Sequence, residues 1–323
     1  MMMNKNFILK FIFIITFLIS ILYSCRNKSN DTIRIGILDG PSAVSFIQII
    51  EQPTFIDGKK VEIIIKSEPL QIQALMMRNE LDFAILPTVM AANLYNKGLN
   101  FRMVACPIWG TLYLITNNKK ININRLNGQK IAVFGQATTS DILLRRLLLK
   151  NNIERVNFDY TYATNNEIAQ ALLYKKISIA VVSEPMVSNL LTQDSTIKII
   201  GKLDCEEYIN NLSKDVFVQT AFLVSNRFTK DNPDLVVQVC EAYSNSCNFT
   251  NDQPEFAAKL MVKHKLSKTI EAAKLSLPLC NIRYVGAFAL EQEVMQYLNI
   301  FYQFNPQSVG GRIPDKDFIY QTY

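Results

Sequence analysis

Histidine is almost absent from this chain: His264 stands alone among 323 residues. It lies in Met261-Val262-Lys263-His264-Lys265, a basic helix end that suits the helix dipole and is otherwise bland. There is no Gly-x-Ser-x-Gly and no His-x-x-x-His. The usual nucleophile, base and metal-ligand patterns are therefore missing, and the chain is expected to be no enzyme and to carry no metal or cofactor. Tryptophan occurs once, as Trp109. Beyond Cys25 the cysteines are Cys106, Cys205, Cys240, Cys247 and Cys280, widely spaced, odd in number and without a Cys-x-x-Cys. That excludes a recognisable zinc site or disulfide framework, while one bridge stays open. Cys240 and Cys247 share a helix face, the pattern of buried small apolar groups. Clustered positive charge is lacking too. The formal charge is +6, of which Lys5 and Lys10 lie in a segment expected to be removed, and the other Lys and Arg are scattered. No basic run or aromatic-interleaved stripe is present, so nucleic acid is not an expected partner.

The amino terminus is positive and then apolar. Lys5 and Lys10 precede the run Phe11–Leu22, which is short for a membrane span and suits a signal segment. It ends in Leu22-Tyr23-Ser24-Cys25, which resembles the bacterial lipoprotein processing box, with Tyr23 an unusual occupant. Residues 1–24 are thus expected to be a signal peptide, Cys25 the lipidated residue, and 25–31 a polar tether. The alternative is an uncleaved anchor with an incidental cysteine. Either way the body is expected outside the cytoplasm, held at a bacterial membrane, in the periplasm or at the cell surface.

Sliding the sequence on itself by 96 residues reveals an ungapped repeat. Arg34-Ile35-Gly36-Ile37-Leu38 falls on Lys130-Ile131-Ala132-Val133-Phe134, and Ile72–Met77 on Ile168–Leu173. Asp82-Phe83-Ala84-Ile85-Leu86 falls on Ser178-Ile179-Ala180-Val181-Val182. Identities are few, but the patterns stay in phase. Each copy reads strand, helix, strand, helix, strand. The first is Ile33–Leu38, Ser42–Ile50, Val61–Lys66, Leu70–Met77 and Phe83–Leu86. The second is Lys130–Phe134, Ser140–Lys150, Phe158–Tyr162, Asn166–Tyr174 and Ile179–Val182. Short apolar strands alternating with helices give an α/β fold of two lobes, each a mainly parallel sheet flanked by helices. Right-handed crossovers place the loops after the strands on one edge of each sheet, where ligands bind in open α/β sheets.

Tyr113–Thr116 leads out of the first lobe and Thr220–Ser225 leads back, both expected to cross as adjacent strands. Beyond about Asp231 the chain reads as helical, with helices over Pro233–Cys247, Pro254–Lys263 and Val285–Phe304. Phe288, Val294, Leu298 and Phe301 are expected to point inward. Asn305-Pro306 breaks the last helix and Gly310-Gly311 marks a turn. The resulting division is 32–115 plus 220–323 for lobe 1 and 116–219 for lobe 2.

This pattern resembles the substrate-binding proteins of bacterial ABC importers, in particular the nitrate-, sulfonate/taurine- and thiamine-precursor-binding group. The residues that carry the resemblance are Asp82-Phe83-Ala84-Ile85-Leu86-Pro87 before a helix, Gly128-Gln129-Lys130-Ile131-Ala132-Val133, and the Thr138-Thr139-Ser140 helix start. It covers the whole mature chain and is weak on any one ligand. It implies a two-lobed periplasmic-binding-protein-like fold (type II), hinge closure on a small solute, and a separate permease and ATPase. No Walker loop occurs in this sequence. A planar heterocycle, a sulfonate, or a small carboxylate or amide are the open ligand classes. A solute sensor without an importer, or an enzyme acting on a thiamine-type precursor, are the alternative functions.

Candidate cleft residues follow from the strand ends. Thr138, Thr139 and Ser140 start a helix whose amides can hold an anion or a carbonyl oxygen, though Asp141 in its first turn disfavours tightly held phosphate. The resemblance puts this turn in the cleft; plain N-capping is the bland alternative. Asp39, Pro41 and Ser42 occupy the equivalent edge of the first copy. Pro87 with Thr88, and Ser183 with Glu184, end the third strands, and Glu184 is a candidate partner for a cationic or N–H-bearing ligand. Trp109 either packs or stacks on a flat solute. Gln219 is a hydrogen-bonding candidate from the hinge side, and Arg283 holds a ligand acid group or makes an ion pair within its lobe.

Overall fold

The computed structural model describes residues 31–203 and 217–321; the expected signal segment, Cys25 and Cys205 lie outside them. In chain order the strands are β1 (Thr32–Leu38), β2 (Phe55–Ile56), β3 (Lys59–Lys66), β4 (Phe83–Pro87), β5 (Phe101–Ile108) and β6 (Leu112–Thr116). They continue as β7 (Lys130–Ala132), β8 (Asn157–Asp159), β9 (Ile179–Ser183), β10 (Lys198–Lys202), β11 (Thr220–Ser225) and β12 (Ile282–Gly286). Two sheets result. One has the order β12-β5-β11-β4-β1-β3-β2 and the other β10-β6-β9-β7-β8. In each, three strands run parallel, β3-β1-β4 and β8-β7-β9, and the strands added at their sides are antiparallel. The α/β architecture of two helix-flanked sheets read from the repeat is therefore present.

The helices are α1 (Pro41–Ser45), α2 (Ile47–Glu51), α3 (Pro69–Met77), α4 (Thr88–Asn96), α5 (Thr139–Lys150) and α6 (Asn165–Leu173). After them come α7 (Met186–Gln193), α8 (Asn226–Asp231), α9 (Pro233–Asp252), α10 (Pro254–Lys263), α11 (Ile270–Leu279) and α12 (Glu291–Phe304). The 96-residue shift lays α3 on α6 and β4 on β9 residue for residue. β1 shows why such strands form. β-branched Ile33, Ile35 and Ile37 alternate along it and are all buried on one face. Gly36 faces the other way, where a Cβ would come within 2.4 Å of Leu81 Cδ1. α9 opens with Pro at its first turn and buries Leu235, Val236, Val239, Tyr243 and Cys247 along one stripe. Tyr243 stacks on Phe46 and meets Phe222 edge-on, and its hydroxyl is 2.7 Å from Ser45 Oγ. This fixes α9 across the first sheet.

Four expectations need correction. Tyr113–Thr116 and Thr220–Ser225 are not adjacent strands: β6 pairs with β9 and β10, whereas β11 pairs with β4 and β5. Each crossing strand thus completes the sheet it enters, so the second sheet begins at Leu112 rather than after residue 115. Ser42–Ile50 is not one helix but α1 and α2, separated at Phe46. The stretch from 285 to 304 is not one helix. Ile282–Gly286 is an edge strand on β5, a 3-10 turn follows, and α12 begins at Glu291. In that turn Phe288 is 60% exposed, while Val294, Leu298 and Phe301 are buried as expected.

Candidate functional site

Pairing of β1 with β4 (Ile35 with Phe83) brings the turn after β1, Asp39-Gly40, to the same edge as Pro87-Thr88. Pairing of β7 with β9 (Ala132 with Ala180) likewise brings the loop before α5 beside Ser183-Glu184. The two edges face one another and touch. A Cβ at Gly40 would lie 3.5 Å from the Glu184 carbonyl oxygen and 4.0 Å from Pro185 Cδ. Gly40 has φ 99°, so the lack of a side chain serves the turn, while a Cβ there would meet the second lobe at ordinary van der Waals distance. Farther along, Glu68 is held above the usual carboxylate range by burial and then by the Glu167 carboxylate opposite.

The first-lobe edge is polar and largely committed. Asp39 is exposed and its carboxylate accepts from the Gly40 N–H at 2.8 Å. Pro41 is half-buried, and Ser42 is buried with its carbonyl accepting from Ser45 Oγ. Thr88 is fully buried, and among the described residues its hydroxyl has no hydrogen-bond partner.

On the second lobe, Thr138 does not cap α5 with its side chain. Its hydroxyl donates backwards, to the Phe134 and Gly135 carbonyls at 2.7 and 2.9 Å. Left-handed backbone at Gly135 (φ 63°) and Ala137 (φ 58°) bends the loop into that shape. The first amides of α5 are thus left without a capping side chain, with Thr139 half-buried and Ser140 buried beside them. Asp141 is spent on the loop: it accepts from the Ala137 N–H, from Arg145 Nε and from the Tyr160 hydroxyl. Between α5 and the end of α12 runs a groove of about 690 Å³, lined by Ala137, Ile142, Arg145, Leu149 and Phe158 with Phe304 and Asn305 from the first lobe.

Glu184 is fully buried and its carboxylate turns back onto α7, accepting from Ser188 Oγ at 3.0 Å and the Ser188 N–H at 3.3 Å. Burial outweighs these bonds and pushes its pKa up to about 7. Ser183, before it, is half-buried. Trp109 and Arg283 pair with each other. The indole N–H donates to the Arg283 carbonyl at 2.6 Å, and the guanidinium stands 4.2 Å from the ring centroid. Gln219 is engaged by Thr111, which donates its N–H to Oε1 at 2.8 Å and accepts from Nε2 at 3.1 Å. Thr111 escaped the sequence reading. Its signal was there, because it opens β6 as Gln219 opens β11, but seeing it requires knowing which sheet each crossing strand joins.

Two similar lobes whose strand-end loops meet across one seam define a two-lobed binding-protein architecture. The chain belongs to the NMT1/THI5-like family, whose profile matches residues 57–257. It is 32% identical to an ABC transporter protein of known structure from Parabacteroides distasonis, over 91% of this chain and 100% of that one, with a TM-score of 0.79. It shares its fold with the periplasmic aliphatic sulphonate-binding protein SsuA from Escherichia coli (16% identity, 91% and 94% coverage, TM-score 0.69). A ligand-binding component of an ABC-type import system from Staphylococcus aureus, solved with zinc bound, is similar (16%, 90% and 96%, 0.70). No curated protein sequence matches the chain.

Proposed function

We propose that this chain is the extracytoplasmic solute-binding component of an ABC-type importer, holding a small molecule between its lobes and delivering it to a separate permease and ATPase. Family membership supports this, as does the fold shared with SsuA and with the Staphylococcus aureus component. The observation that carries it is the seam where Gly40 meets Glu184, because it sets two strand-end edges of the same construction against each other. The ligand-facing groups in this reading are Asp39, Pro41, Ser42, Pro87 and Thr88 from the first lobe, with Thr138, Thr139, Ser140, Ser183 and Glu184 from the second. The Trp109–Arg283 stack flanks them. A buried carboxylate without a cation favours a ligand that brings an N–H or a positive charge to Glu184. Binding rather than catalysis also fits the nearby thiols. Cys106 is buried and pushed up to about 12, and burial holds Cys280 well above the ordinary thiol range.

A thermal-shift screen of the body from Ser29 onward tests this, using pyrimidines, taurine, alkyl sulfonates, nitrate and aromatic carboxylates. The expected result is one chemical class raising the melting midpoint by several degrees through mass action. A panel that leaves the midpoint unmoved throughout would count against the reading. Among the described residues no helix is long and apolar enough to cross a membrane. We assign membrane attachment to acylation of Cys25. Full-length protein should sediment with membranes and Cys25→Ser should remain in the supernatant; a pelleting variant would favour an uncleaved anchor.

A further inference from the structure

We infer that the pole of the second lobe farthest from the seam is a docking surface for an anionic lipid bilayer. Cations that are scattered along the sequence are gathered there by the fold. β9 reaches the seam at Ser183, so its other end, Ile179, marks the far pole. Thr116 of β6 pairs with Ile179, and Lys198 of β10 pairs with Thr116. β7 and β8 run parallel to β9 and start at the same end. The turns beyond these strand ends are bonded to one another. Asn117 donates its side-chain amide to the Leu172 and Ile177 carbonyls at 2.8 and 2.9 Å. Lys198 Nζ donates to the Lys119 carbonyl at 2.9 Å, and the Gly128 N–H donates to the Arg155 carbonyl. Lys119, Lys120, Arg155, Lys175, Lys176 and Lys198 are thereby brought to one end of the molecule.

All of them but half-buried Lys198 are exposed, and none forms an ion pair among the described residues. The turns that carry them hold only Glu154 and Asp194 as carboxylates, and Asp194 already accepts from the Thr196 N–H and hydroxyl. In the first lobe, by contrast, cations are paired locally, as in Arg34–Glu62 and Lys263–Glu51. A positive surface of this kind attracts anionic headgroups, at roughly 1 kcal/mol for each Lys or Arg brought to them. Apolar groups stand among the charges. Tyr174, beside Lys175, is 72% exposed, and Ile199, beside Lys198, is 37% exposed. An exposed aromatic ring flanked by cations is the chemistry of a bilayer interface rather than of a soluble polyanion site. The Cys25 tether proposed above enters at the opposite end of the molecule, because Thr32 begins β1 and the other end of β1 reaches the seam. Two attachments at opposite ends lay the protein along the bilayer, and the tether makes the second of them intramolecular.

The test needs neither a solute nor the anchor, so it stands or falls separately from the solute-binding reading. The body from Ser29 onward, which contains every described strand and helix, is sedimented with vesicles of equal parts phosphatidylcholine and phosphatidylglycerol. At low salt it should pellet with them and stay in solution with phosphatidylcholine alone. Its affinity should fall at least tenfold between ~10 mM and ~150 mM salt, as the Debye length shortens. Release at physiological salt is also what leaves the unlipidated chain in the supernatant. Lys119→Glu with Lys120→Glu, or Lys175→Glu with Lys176→Glu, should weaken binding about tenfold or more. Tyr174→Ala should weaken it by a smaller factor that does not change with salt. Lys259→Glu with Lys265→Glu, exposed on the first lobe, makes the same change in net charge and should bind as wild type. Each variant is first shown to keep the wild-type melting midpoint, and if one pole pair does not fold the other decides. Wild type that pellets with neither vesicle, or with both alike, would overturn the assignment. So would undiminished binding by a folded pole variant, an equal loss from the first-lobe pair, or retention by polyphosphate without any by the vesicles.

Discussion

Asp141→Ala is expected to destabilise the folded protein by about 3 kcal/mol and to loosen the loop that opens α5. Asp141 is 2% exposed and anchors three donors: the Ala137 N–H and Tyr160 hydroxyl at 2.8 Å and Arg145 Nε at 2.9 Å. The Tyr160 hydroxyl also accepts from Arg145 Nη2, and the guanidinium lies 4.1 Å from the Phe158 ring centroid. Removing the carboxylate would strand a cation and a left-handed backbone N–H together. Breaking a buried ion pair costs roughly 3–5 kcal/mol. The lower end applies, since the Arg145 side chain is 37% exposed. Asp141→Asn keeps an acceptor for Ala137 and should recover about half. Urea denaturation of the three proteins decides it, and an alanine variant with the wild-type midpoint would show that the network contributes nothing.

Glu184→Gln should act in the opposite direction, and increasingly so as pH rises above about 4.5. Burial raises the carboxyl from an ordinary 4.5 to about 7. Between those values the folded state holds a proton that the unfolded state has lost, so stability falls as pH rises from about 4.5 and the full cost is in place above about 7. At ~1.4 kcal/mol per pKa unit this is about 3 kcal/mol at pH 8. Glutamine cannot ionise and still offers an oxygen to Ser188. The variant should therefore be more stable than wild type by about that amount at pH 8, and equal to it near pH 4. A difference that does not change with pH would refute the buried ionisation. Stability given up at this position fits a carboxylate kept for a ligand.

Much of this molecule is legible in its sequence because the determining patterns are local. The alternating isoleucines of β1 and the paired units β4 and β9 repeat at one spacing, and no distant contact is needed to recognise them. What stayed hidden depends on partners far away in the chain. Val285 and Gly286 read locally as the start of a helix and instead end the strand Ile282–Gly286, because the edge of β5 is open to it. The sequence leaves Trp109 as packing or stacking and Arg283 as a ligand or ion-pair group, and 174 residues of separation hide that each occupies the other. Thr138 fits a capping residue by type, and the left-handed turns at Gly135 and Ala137 redirect its hydroxyl. The exchange of crossing strands, which creates the Thr111–Gln219 pair, is a property of topology and has no local signature.

A crystal structure of the body with whichever compound from the panel stabilises it most tests the account most directly. Density for the compound should lie between the Asp39–Ser42 turn and the Thr138–Ser140 helix start, touching both lobes at once. A compound bound wholly on one lobe, away from that seam, would contradict it.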